Sequence, residues 1–73
     1  MTTLNQMHIN HSCVFKTVSD ERIRDYLMAH GVLPGSPLCV IAKIPFNGAI
    51  TCDCRHTRLA IRAEDAACIV VDA

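Results

Sequence analysis

Apolar and polar positions follow a helical period in one stretch of this chain and a period of two in several others, and the two patterns divide it into elements. Residues 13–18 (Cys-Val-Phe-Lys-Thr-Val) are rich in β-branched and aromatic side chains with one charge, and read as a strand. Ser19 and Asp20 then offer a helix N-cap, and Asp20 and Glu21 set negative charge at the positive end of the helix dipole. Ile23, Tyr26, Leu27 and His30 fall at i, i+3, i+4 and i+7, the spacing of one buried helix face, with Arg22, Arg24 and Asp25 off it. Gly31 supplies the left-handed residue after the helix, Val32 can fold back on the last turn, and Pro34 blocks continuation. The predicted helix is about eleven residues long.

Pro34-Gly35 suits the centre of a type II turn, since proline fixes φ and glycine accepts a positive value. Leu38–Ile44 reads as a second strand with Leu38, Val40, Ala42 and Ile44 on one face. Asn47-Gly48, within Pro45-Phe46-Asn47-Gly48, is a hairpin signal. Ile50–Arg55 makes a third strand, with Ile50, Cys52 and Cys54 pointing inward and Thr51, Asp53 and Arg55 outward. His56-Thr57 turns into a fourth strand, Arg58–Arg62, with Leu59 and Ile61 inward and Arg58, Ala60 and Arg62 outward. Ala63–Ala67 reads as one helical turn, and Cys68–Val71 as a short closing strand. Five short strands at this spacing predict a small, strongly bent barrel, mainly β, with one helix inserted after the first strand. With no repeat, linker or low-complexity tract, residues 1–73 read as a single domain.

Composition narrows the function classes. Apolar residues are 51% of the chain against 19% charged, which excludes an intrinsically disordered chain. Only Phe15, Tyr26 and Phe46 are aromatic, so the core must be aliphatic. Seven Lys and Arg balance seven Asp and Glu, which argues against nucleic acid as a partner. The five cysteines are an odd number, and Met1–Gln6 lacks a basic and apolar leader; free thiols in a cytoplasmic protein are the expectation. No apolar run reaches the roughly 18 residues that would insert in a membrane. A core this small leaves little room for a deep pocket, which favours a binding module over an enzyme.

Several chemistries can be weighed directly. None of the three glycines is followed by a lysine, so the phosphate-wrapping loop of a nucleotide hydrolase is absent. No serine sits in a Gly-x-Ser-x-Gly elbow. Cys52, Cys54 and His56 share one side of an extended strand, yet such neighbours lie about 6.6 Å apart while sulfurs on zinc sit under about 4 Å apart. Cys52 and Cys54 therefore read as barrel filling, and no metal site is assigned. His8, His11 and His56 are the residual metal-ligand candidates, His8 and His11 as a two-ligand surface pair. Arg55, Arg58 and Arg62 share an outward face, either as a solvated surface or as a dock for an acidic partner or anionic leaflet. Leu33, Pro34, Pro45 and Phe46 are apolar loop residues; gathered into one patch, they would mark a protein–protein site.

The order of these signals is similar to the FeoA family, the small cytosolic accessory proteins of bacterial ferrous iron uptake. A charged helix runs into Gly31-Val-Leu-Pro-Gly35, then come a strand, Pro45-x-Asn-Gly48, an alternating strand, Arg58-Leu-Ala-Ile-Arg62, the acidic turn at Glu64-Asp65-Ala66 and an Ile-Val-Val ending. The resemblance runs from about Asp20 to Val71 and implies an SH3-like barrel, a fold also found at the C-terminus of some iron-dependent repressors. It departs at Asn10-His11, where relatives often carry a Pro-Gly-type turn, and at His56, where glycine is common. The implied partner is FeoB, the membrane ferrous iron transporter with a cytosolic G domain.

A non-enzymatic module without a cofactor, docking on a FeoB-type transporter at the inner face of the membrane, is the function expected. The partner-binding candidates are Leu33, Pro34, Pro45, Phe46, Arg55, Arg58 and Arg62. The alternatives are an Fe- or Zn-responsive sensor using Cys and His ligands, and a homo-oligomer pairing its edge strands.

Overall fold

The computed structural model describes residues 1–46 and 48–73. Six strands form one antiparallel sheet: β1 (Thr2–Thr3), β2 (Ser12–Val18), β3 (Pro37–Lys43), β4 (Ile50–Cys54), β5 (Thr57–Ile61) and β6 (Ile69–Asp72), in the spatial order β1-β6-β2-β3-β4-β5. Helix α1 (Glu21–Ala29) joins β2 to β3, and the single turn α2 (Ala63–Ala66) joins β5 to β6. The mainly β fold with a helix inserted early is as expected. The strand beyond the expected five is Thr2–Thr3, which pairs with Val71 and Val70, so the helix follows the second strand instead of the first. A short 3-10 turn, Leu4–Gln6, comes next and drops Leu4 into the core with no exposed surface.

Two breaks in register bend the sheet, one between Phe15 and Thr17 against β6, the other between Val40 and Ala42 against β4. Each puts an extra residue on one strand, which shifts later side chains to the opposite face. Leu38 and Val40 therefore point inward, whereas Ala42 and Ile44, expected on the same face, are exposed. No bulge interrupts β4 or β5, and Ile50, Cys52, Cys54, Leu59 and Ile61 all face the core as their alternation predicts.

The helix ends are built as the sequence anticipates. Asp20 is the N-cap: its Oδ1 accepts from the Arg22 N–H at 2.8 Å and the Ile23 N–H at 3.3 Å. The Ile23 amide, then that of Arg22, holds the Asp20 carboxyl below its usual pKa. At the other end Gly31 takes φ +81°, its N–H donates to Met28 O, and the Val32 N–H donates to Leu27 O at 2.8 Å. These two bonds complete a Schellman motif and bury Val32 fully. The buried face is narrower than expected, since only Ile23 and Leu27 are covered. Tyr26 and His30 lie outside, their rings 4.5 Å apart.

Pro34-Gly35 forms the expected turn, with Gly35 at φ +94° and the Ser36 N–H donating to Leu33 O at 2.8 Å. Buried Ser36 returns the favour, its hydroxyl accepting from the Leu33 N–H. The Arg55-His56 loop is one residue earlier than expected, so β5 starts at Thr57. Arg55 occupies the left-handed region at φ +56°, the first central position where a type II′ turn takes glycine. The Asn47-Gly48 hairpin signal includes Asn47, outside the described residues; Gly48 leaves no room for a side chain, since a Cβ there would sit 2.5 Å from Ile44 Cγ2.

Leu4→Ala is expected to cost about 2–5 kcal/mol in urea unfolding, the range for a leucine that leaves a cavity, whereas a peripheral N-terminal segment would show almost no change.

Candidate functional site

Because the core is filled by aliphatic side chains and thiols, chemistry must be sought on the surface. Cys13, Cys52 and Cys54 are buried, Cys39 is half-buried and Cys68 is exposed. Burial, followed by the neighbouring Cys13, pushes the Cys52 thiol up to about 12. Cys13 is likewise raised, mainly by burial. Such thiols stay protonated at neutral pH and make poor nucleophiles and metal ligands. Among the described residues, no three His, Cys, Asp or Glu side chains gather so that they could hold a metal ion.

His8 and His11 flank a turn closed by His11 N–H on His8 O, with Asn10 at φ +69°. The departure at Asn10-His11 keeps a turn in place, because asparagine tolerates the left-handed region better than most residues. The two imidazoles lie 5.6 Å apart, edge to face. His56 stands elsewhere, at the tip of the β4–β5 hairpin beside an open hollow of 380 Å³ that Asp53, Arg55 and Arg58 also line.

The three arginines do lie on or next to the outer face of β4 and β5, but two of them are neutralised. Arg58 grips Asp53 with two hydrogen bonds, of 2.9 and 3.3 Å, which lowers the Asp53 pKa and raises that of Arg58. Arg62 faces Asp65 at 3.3 Å and Glu64 at 3.7 Å. Arg55 has no salt bridge among the described residues. The arginine ends of these pairs are exposed to solvent, whereas Asp53 and Asp65 are half-buried.

The apolar candidates divide between two places. Leu33 and Pro34 precede β3 and Pro45 and Phe46 follow it, so a strand of seven residues, about 20 Å long, separates them. Leu33 is half-exposed, and Pro34 also borders a cavity of 80 Å³ between α1 and β2. At the other end Ile44, Pro45 and Phe46 form an apolar tip, where Phe46 is 100% exposed and sits in the left-handed region at φ +61°. Ile44 belongs to this tip and was hidden in the sequence by the register break at Val40. A further hollow, of 280 Å³, opens between α1 and β5 and was not legible in the sequence, since it joins residues over 30 positions apart.

A family model, the FeoA domain, matches residues 2–73. No curated protein matches the chain. Among solved structures, a FeoA protein from Chlorobium tepidum superposes with a TM-score of 0.89 at 24% identity, over 97% of this chain and 69% of that one. The FeoA of Stenotrophomonas maltophilia, complexed with zinc, superposes with a TM-score of 0.84 at 27% identity, over 99% and 91%. It is described as a procaryotic SH3 domain protein, with a suggested role as a bacterial ferrous iron transport activating factor. A manganese-dependent transcriptional repressor contains the same fold, with a TM-score of 0.84 at 21% identity, over 99% of this chain and 41% of its own.

The buried thiols give two expected outcomes. With a thiol reagent at neutral pH, Cys68 should be modified first and Cys52 last, as read by peptide mass mapping; early labelling of Cys52 would mean that the core opens readily. Because the folded Cys52 pKa of about 12 lies above the usual 9.0, its contribution to stability is complete below pH 9 and is lost as pH rises toward 12. Cys52→Ala should flatten that part of a pH–stability curve measured by urea unfolding.

Proposed function

Since this chain belongs to the FeoA domain family, we propose that it is a non-enzymatic accessory protein of ferrous iron uptake, docking on the cytosolic part of a FeoB-type membrane transporter and biasing one of its states. The observation that supports docking most directly is Phe46. A fully exposed phenylalanine in a left-handed backbone position adds nothing to the core and carries conformational strain. Such a residue fits an anchor that is buried only in a complex, the role aromatic side chains take at interface centres. Pro45 and Ile44 extend the same tip, and Leu33 with Pro34 form a second, separate contact. Arg55, Arg58 and Arg62 supply the charged surface, with Arg55 placed for an acidic group on the transporter.

Residues 1–73 act in this reading as one unit, since β1 and β6 join the two ends of the chain in one sheet. No described helix is long and apolar enough to cross a membrane, so a place at the inner face of the membrane comes through the partner. Modulation means unequal affinity for the transporter's states; equal affinity would shift nothing.

The test is capture of the transporter's cytosolic domain by this chain, with and without GTP. Phe46→Ala should weaken capture about tenfold or more, as loss of an aromatic anchor does, while the melting temperature stays within about 2 °C because no core contact is lost. Both residues carry a Cβ, so the left-handed strain is the same on the two sides of the comparison. Undiminished capture, or a clear fall in melting temperature, would remove Phe46 as the anchor.

A further inference from the structure

Strand β5 stands at one end of the sheet and pairs only with β4 among the described residues. Its free side can be assigned residue by residue. The loop Arg55-His56 has two residues and is flanked by the pair Cys54–Thr57. A two-residue hairpin closes on a hydrogen-bonded pair, and bonded pairs alternate with non-bonded ones along the ladder. Cys52–Leu59 and Ile50–Ile61 are then bonded, and the N–H and C=O of Arg58 and Ala60 point away from β4. The Tyr26 hydroxyl, donating to Ala60 O at 3.4 Å from the far side, agrees with this assignment.

Beyond that edge lies the 280 Å³ hollow between α1 and β5, walled by Ile23, Tyr26 and Leu27 on one side and by Ala60 and Ile61 on the other, with Arg22, Arg62 and Asp65 also lining it. Apart from the long Tyr26 contact, no hydrogen bond occupies the outward backbone groups of Arg58 and Ala60 among the described residues. An unpaired edge beside a groove with an apolar floor and two arginines, Arg22 and Arg62, against one acid, Asp65, is a geometry that can take up an extended peptide as an added strand. Charge chooses the occupant. Arg58 and Arg62 flank Ala60, and no acid lies between them. A second copy of this chain, paired antiparallel about Ala60, would set arginines opposite arginines, which is unfavourable. A strand with carboxylates at alternate positions would instead meet both arginines on its outer face. Arg58 and Arg62, whose own side chains are exposed, would turn to it from Asp53 and from Asp65 and Glu64, exchanging one carboxylate partner for another.

We propose that the free edge of β5 takes an extended acidic segment of a protein partner as an added strand, held by the outward backbone groups of Arg58 and Ala60 and by the side chains of Arg58 and Arg62. The proposal gives the docking described above a chemistry and rests on that reading for the existence of a protein partner. Tyr26 acts as a placeholder whose hydroxyl leaves Ala60 O when the segment arrives.

The test is an NMR titration of the full chain, labelled with nitrogen-15, using two end-blocked synthetic peptides, one alternating glutamate with valine and one alternating lysine with valine. The expected result is that the acidic peptide alone binds, with Kd below about 1 mM, and shifts and protects the Arg58 and Ala60 amides. Ala60→Pro removes one edge donor without touching the β4 ladder and should weaken binding about tenfold. If that variant fails to fold, Arg58→Glu with Arg62→Glu should abolish binding of the acidic peptide and admit the basic one. Silent Arg58 and Ala60 amides, equal binding of both peptides, or a dimer in light scattering that uses this edge would overturn the proposal. Failed titration with transporter capture intact would remove the β5 edge and leave the accessory reading in place; peptide binding without capture would do the reverse.

Discussion

Rolling a single sheet around an aliphatic core depends on where its strands change face. The breaks at Phe15–Thr17 and Val40–Ala42 bend β2 and β3, the two strands at the centre of the order. On β2 the extra residue returns Val18 to the core, whereas on β3 the residues past the break leave it. Phe15, the one buried aromatic, sits at the first break. Past the second, β3 runs out of the barrel carrying Ile44 toward Phe46, so the bend that closes the fold also projects an apolar tip.

Much of this was written locally in the chain. The Asp20 cap, the Gly31-Val32 ending, the Pro34-Gly35 turn and the alternation in β4 and β5 rest on contacts between near neighbours in sequence, and each formed as its residues direct. The FeoA resemblance was carried by those same pieces. What was not legible depends on partners far along the chain. Ala42 and Ile44 continue an inward alternation until β4 imposes its own register. Thr2 and Thr3 are polar and few, and become a strand only because β6 offers an edge. Tyr26 has the spacing of a buried residue, but it borders the open hollow between α1 and β5 and stays part-exposed.

The surface was legible as a set of residues and not as an arrangement. Phe46 and Leu33 were identified as loop positions, and both are exposed. Their separation by the length of β3 follows only from the folded chain. Counting arginines finds Arg58 and Arg62 but misses the carboxylates facing them, because Asp53 pairs across a hairpin and Asp65 lies on a separate turn. The thiols could be judged from spacing, since Cys52 and Cys54 point inward by strand alternation alone.

The pairing of Thr2 with Val71 places the first and last strands side by side, about 4.8 Å apart. Polypeptide attached ahead of one and behind the other would leave the barrel at a common point, so the module can be spliced into a longer protein like a bead on a closed loop.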